Sequence, residues 1–221
     1  NSCADGQEAM TLARTALRLL VVEALTGDGS SRPTIAQHRV YDSRISDLSP
    51  ETVWDDALPT LIVSTDEDSG EALSAQNGGP PFRRSINVTI EMGLTICVPD
   101  ENQGGRFLPA TPDTDARAEA SLDLLEFQVM RRLAYDLAPL PTLFRKMARI
   151  WKSECHRQTM DESGVKWASR ALILACQTPD DQVSIFNAAD APPAGVDLLP
   201  EPLRSVAAAM PSGSSGADVV S

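Results

Sequence analysis

The chain has 221 residues, 42% of them apolar and only 5% aromatic, with 31 acidic against 19 basic side chains and a net charge of −12. That length allows one domain with an appendage, its core resting on Leu, Ile, Val and Ala. The acidic balance argues against nucleic-acid binding by phosphate neutralisation, no apolar run approaches the roughly 20 residues that cross a bilayer, and the opening NSCADGQEAM lacks the basic and apolar regions of a signal peptide, so a cytoplasmic origin is expected.

Taken in order, residues from about Gln7 to Thr26 read as a helix. Asp5 with Glu8 fits an N-cap pair, Leu12, Ala16, Leu19, Leu20 and Glu23 recur at helical spacing, and Gly27 is the stop. A polar segment then leads to Arg39-Val40-Tyr41-Asp42. LPTLIVSTDED, from Leu58, is a strand with Pro59 near its start. Its run Leu61-Ile62-Val63 suits a strand covered on both faces. It gives way to Asp66-Glu67-Asp68 and a loop ending at Pro81.

The segment after Arg84 is the clearest strand. Ile86, Val88, Ile90, Met92, Leu94 and Ile96 are apolar and alternate with Asn87, Thr89, Glu91, Gly93 and Thr95. That period of two predicts a long strand buried on its even face. With the preceding strand it makes an extended hairpin. DENQGGRFLPATPD reads as a loop. A helix is expected from about Thr114 to Leu137, with Leu122, Leu125, Val129, Met130, Leu133 and Leu137 on one face and Pro139 and Pro141 ending it. A short helix over about Thr142–Ala148 follows. Ile150–Arg157 and Val165–Gln177 then form a hairpin turning through Asp161, Glu162, Ser163 and Gly164, its second limb central in the sheet. Beyond Pro179 the composition becomes rich in Pro, Gly and Ser. An extended arm without a folded core is expected there, with Leu198–Met210 just apolar enough to dock.

The expected fold class is therefore α+β: a mainly antiparallel mixed sheet with helices on one face, an extended hairpin loop and a Pro-rich C-terminal arm. The domain covers residues 1–178 and the arm 179–221.

Residue types that carry chemistry are few. His38 and His156 lack converging partners and read as surface or structural groups. Cys3, Cys97, Cys155 and Cys176 form no C-x-x-C pair, so neither a zinc site nor a disulfide framework is expected. Asn87-Val88-Thr89 matches a glycosylation sequon by chance, lying mid-strand. No G-x-S-x-G elbow occurs, and Gly78-Gly79 and Gly104-Gly105 lack the lysine of a phosphate loop. Asp66-Glu67-Asp68 has too few ligands for a calcium loop and reads as a solvated strand end. Arg83-Arg84 suits either edge protection or pairing with acids of a neighbouring chain. Trp151 and Trp167 are expected to face each other as core packing across the last hairpin. Trp54, among Glu51, Asp55 and Asp56, is the better contact residue. The reading is a protein that works through contacts, without catalytic residues, cofactor or metal. Its interface residues are Trp54, Asp66, Glu67, Asp68, Arg83, Arg84 and Glu91.

In sequence order, RTALRLLVVEALTG, RVYDSRISDL, LPTLIVSTDED, RRSINVTIEMGLTI, SLDLLEFQVMRRL and WASRALILACQT resemble the tail terminator (tail completion) family of long-tailed bacteriophages, over about residues 8–178. The resemblance implies a mixed α/β fold without enzymatic activity. It further implies a hexameric ring on the head-proximal end of the tail tube, at the head–tail junction of a virion assembled in the host cytoplasm. Such a ring stops tube polymerisation and offers a surface to neck proteins, while DNA passes through without specific binding, which an acidic lumen would suit. The odd face of the long strand would meet the channel or a neighbour. Residues 179–221 have no counterpart in the pattern and would grip a neighbouring subunit or neck component. Two alternatives stay within assembly: another connector or neck protein, or a tail tube subunit. Two lie outside it: a small soluble enzyme with an unrecognised carboxylate site, and a monomeric binding module.

Overall fold

The structure is a computed structural model that describes residues 11–27, 32–43, 59–74, 76, 79–94, 96–99, 107–110, 115–162, 165–182 and 195–220. The expected N-cap pair Asp5 and Glu8, and Trp54, lie outside them. The fold is α+β, and the expected class holds. A five-stranded sheet runs in the order β1 (Val40–Asp42), β2 (Thr60–Ala72), β3 (Phe82–Leu94), β7 (Val165–Pro179), β6 (Arg149–Glu162). β1 is parallel to β2 and every other pair is antiparallel.

Alternation along β3 sets the layers. Ile86, Val88, Ile90 and Met92 are fully buried, together with Leu172, Leu174 and Cys176 of β7. They form one core with the inner faces of α1 (Leu12–Thr26) and α2 (Asp115–Tyr135). α1 lies against β1, β2 and β3, and also touches α2, α3 (Pro139–Met147), α4 (Leu203–Ala209) and α5 (Ser215–Val220). A helix covered on both sides must be apolar nearly all round, which explains the run LRLLVVEAL.

Helix boundaries follow local chemistry. α1 begins at Leu12, where Thr11 is its N-cap and its Oγ1 accepts the Ala13 N–H at 3.2 Å; the expected start near Gln7 lies outside the described residues. Gly27 ends it at φ 79°, as expected, where a side chain would be strained. α2 carries Leu122, Leu125, Val129 and Leu133 fully buried, whereas Leu137 is 88% exposed. The helix stops short of Leu137 at Tyr135. Arg145 donates to the Leu133 and Asp136 carbonyls, and the Asp136 carboxylate accepts the Ala138 N–H at 2.8 Å. Pro139 opens the next helix instead of merely closing this one, since its missing N–H costs nothing in a first turn.

Several sequence expectations change. β2 continues through Asp66, Glu67 and Asp68 to Ala72, with a register shift between Thr65 and Asp68, so these acids belong to the strand. β3 stops at Leu94. Ile96 starts a separate strand, β4 (Ile96–Pro99), paired with β5 (Phe107–Ala110) inside the segment expected to be a loop. β6 likewise extends through Asp161 and Glu162, which pair with Lys166 and Val165 rather than making the turn. Trp151 and Trp167 do not face each other. Trp167 pairs with Met160 near one end of the hairpin, and Trp151 lies at the other end, where the register shifts between Ile150 and Lys152. Bulging turns Trp151 outward, 54% exposed, rather than into the core.

The C-terminal segment differs most. Leu198–Met210 docks, and it does so on this chain: Leu203 and Val206 of α4 are buried in the main core. α5 is held by Glu23, a buried carboxylate on α1 that accepts the Gly216 N–H at 2.8 Å and the Ser215 hydroxyl at 3.3 Å. Glycine at 216 leaves room for this contact: a Cβ would lie 2.9 Å from Glu23 Oε1 and from Met210 Sδ, so both side chains would have to shift. Glu23→Ala is expected to cost about 1–2 kcal/mol by leaving a buried N–H unpaired. Hydrogen exchange would check it: the Gly216 amide should lose protection while amides of β3 keep theirs.

Candidate functional site

Two ion clusters fix the ends of the sheet. In the first, Arg84 points inward from β3 and is buried, like Asp180 just beyond β7. Arg84 Nε donates to Asp180 Oδ1 at 2.8 Å, and the Phe82 N–H donates to Asp180 Oδ2 at 3.0 Å. Asp68 of β2 approaches Arg84 Nη1 at 3.5 Å, an ion pair too long to count as a good hydrogen bond. Burial alone would raise the Asp180 pKa, but Arg84 and the Phe82 amide outweigh it and hold it below the ordinary carboxylate value. Burial dominates at Asp68 and raises it, despite Arg84 and Arg14. The neighbouring Asp181 accepts the Leu12 N–H at 2.7 Å at the start of α1, where the helix dipole favours a negative charge. The turn-proximal end of the β2–β3 hairpin, the end of β7 and the start of α1 are thus tied at one point.

In the second cluster, Arg170 of β7 meets three carboxylates of α2. Its guanidinium lies 2.7 Å from Glu119, 2.6 Å from Asp123 and 2.9 Å from Glu126. Arg157 of β6 reaches Glu119 at 3.0 Å. Burial would lower the Arg170 pKa, yet the carboxylates together raise it. Cys155 Sγ donates to Glu126 at 3.2 Å, and burial followed by that carboxylate pushes its thiol up to about 11. Such a thiol is a poor nucleophile near neutral pH. Sequence reasoning missed this cluster. Its signal was present in the spacing of Glu119, Asp123 and Glu126, which put three acids on one helical stripe.

The expected interface residues fall into different surroundings. Asp66 and Glu67 are exposed on β2, and Glu67 accepts from Asn87 Nδ2 at 2.9 Å. Arg83 is exposed. Glu91 is half-buried on the odd face of β3, and burial, followed by the Asp66 charge, raises its pKa. Arg84 and Asp68 are the correction: they meet each other and Asp180 inside the chain and are not surface groups awaiting a neighbour's acids. Their even-face register places them on the helix side. Of the two histidines, both are exposed.

β6 is the last strand of the sheet and bonds to β7 alone among the described strands. Residues 151–157 are all exposed, and they include Lys152, Glu154, His156 and Arg157. Among the described residues, no group of three or more His, Cys, Asp or Glu side chains is placed to hold a metal ion. None of the described helices is long and apolar enough to cross a membrane.

Fold and site together define an α+β protein with two long hairpins, an exposed strand edge and charge clusters that join elements to one another. Comparison with protein-family models gives no match, and no curated protein matches the chain significantly.

Proposed function

We propose that copies of this chain associate edge to edge into a closed ring, a hexamer on the resemblance, that caps the head-proximal end of a bacteriophage tail tube. The ring stops tube polymerisation and presents the surface to which a head–tail connector or neck protein binds. The observation that carries this reading is β6: a 14-residue strand at the sheet's margin, exposed from Trp151 to Arg157. An unpaired strand edge is a template for another chain. A heterologous contact whose rotation closes gives a ring, and one that does not close gives a filament. Exposed Asp66, Glu67 and Arg83 lie along the β2–β3 hairpin and supply polar contacts to the tube or neck. The net charge of −12 suits a channel through which DNA slides without binding.

Native mass spectrometry and negative-stain imaging of the purified protein, with and without tail tubes, test the proposal. The expected result is one closed oligomer that does not elongate and sits at one end of each tube. Long cylinders formed by the protein alone would indicate a tube subunit instead. A monomer at every concentration, absent from tube ends, would overturn the proposal.

A further inference from the structure

The outer face of α2 carries large apolar side chains that the core does not use. Phe127 is 62% exposed, Leu124 46% and Tyr135 77%, while Leu122, Leu125, Val129 and Leu133 face inward. Single exposed apolar residues need no explanation, but a contiguous patch on one helix face marks a contact surface. Ala120, Asp123 and Arg131 are exposed on the same stripe. A spacing of three, four or seven residues returns each of these positions to one side of a helix.

The charges on this stripe select the partner. Asp123 and Arg131 stand four residues before and four after Phe127. We infer that α2 packs antiparallel against α2 of a second copy of this chain, about a two-fold axis at Phe127. Rotation about that axis brings Asp123 of each copy opposite the other copy's Arg131, as an isologous contact requires. Phe127 meets its own symmetry mate. Helices joined this way approach to about 8–10 Å, with the two charge pairs about 12 Å apart along the axis at the rise of a helix.

The side chains are free to do this. Arg131 makes no salt bridge to another described residue, and its charge acts on Asp136 only at longer range, the last and smallest of the causes that lower that carboxyl's pKa. Asp123 holds Arg170 through Oδ1, and its side chain is 67% exposed. A partner of uniform charge would leave either the acid or the base opposed by its own sign, and a second copy leaves neither. The contact is confined to one helix per copy, which places it among small, reversible interfaces. A two-fold contact cannot close a ring of six, so this inference is independent of the ring reading. Within that reading it would join chains of two rings, or pair chains before assembly.

Sedimentation equilibrium of the full chain across a wide concentration range is the test. The wild type should show a reversible dimer. Phe127→Ser and Arg131→Glu should each weaken it by about tenfold or more, which is about 1.4 kcal/mol, with an unchanged circular dichroism spectrum. The double variant Asp123→Arg with Arg131→Glu should regain dimerisation that Arg131→Glu alone has lost. In a Cys155→Ser background, Phe127→Cys should crosslink as a dimer under oxidation because position 127 lies on the axis, and Ala116→Cys should not. A monomer at all concentrations, a dimer indifferent to these changes, or an α2 face covered only by an unrelated protein would overturn the inference. A larger closed oligomer that ignores Phe127→Ser, Arg131→Glu and the double variant would overturn it too, while leaving the ring reading intact.

Discussion

Arg84→Ala should lower the unfolding free energy by about 3–5 kcal/mol at neutral pH, the cost of stranding a buried charge by removing its partner. The charge stranded is Asp180, which loses its 2.8 Å bond to Arg84 and keeps only the Phe82 N–H. The pH dependence has a definite sign. Asp180 has a depressed pKa in the fold, so its contribution is complete above its unfolded value, about 3.9, and is lost as pH falls through the folded value. The gap between wild type and variant should therefore be full near pH 7 and close in strong acid. Asp68 behaves oppositely. Its pKa is raised, so the fold favours its protonated form. The stability linked to that proton is present below the unfolded pKa and is lost as pH rises through the folded one. Asp68→Asn should accordingly be neutral or slightly stabilising at pH 7, whereas Asp180→Asn should be clearly destabilising. Urea titrations at several pH values would separate them. Equal losses for both asparagine variants would show that the cluster acts as a diffuse charge group and not as an Arg84–Asp180 bond.

Replacing Arg170 with alanine should cost about 2–3 kcal/mol, comparable to losing hydrogen bonds to charged groups. Asp123 is mostly solvated and contributes least. Without Arg170, Glu119, Asp123 and Glu126 repel one another along one stripe of α2 and lose their main tie to the sheet. The loss should be greater at low salt, where that repulsion is unscreened. Glu126 would also no longer be shared between Arg170 and Cys155. Slower alkylation of Cys155, whose thiol ionises more readily beside Arg170, together with a lower thermal midpoint is the expected signature. An unchanged midpoint would mean that apolar packing of Leu122, Leu125 and Val129 alone holds α2.

These clusters show what a one-dimensional reading reaches and what it does not. The alternation from Ile86 to Met92 predicted the buried face of β3 because side-chain direction in a strand depends only on parity. The stripe from Leu122 to Leu133 predicted the inner face of α2 for the same kind of reason, with a period of 3.6. Parity also contained an answer that went unused: Arg84 is an even residue of β3, so it shares the helix side with Ile86 and was never placed to meet a neighbouring chain. Its partner Asp180 is 96 residues away, and no local pattern names it.

The sequence by itself determined the α+β class, the two long hairpins, the inward faces of β3 and α2, and the stop of α1 at Gly27. Each rests on near-neighbour geometry, which a chain carries in its residue order. The central place of β7 beside β6 was also legible, in its two apolar faces; tertiary structure alone decided that β3 is its other neighbour, that Arg170 gathers three acids of α2, and that Leu203 and Val206 return to the core on α1. Those outcomes depend on which distant surfaces meet once the layers have formed. Burial and charge pairing across long separations then choose among partners that the local pattern leaves equivalent.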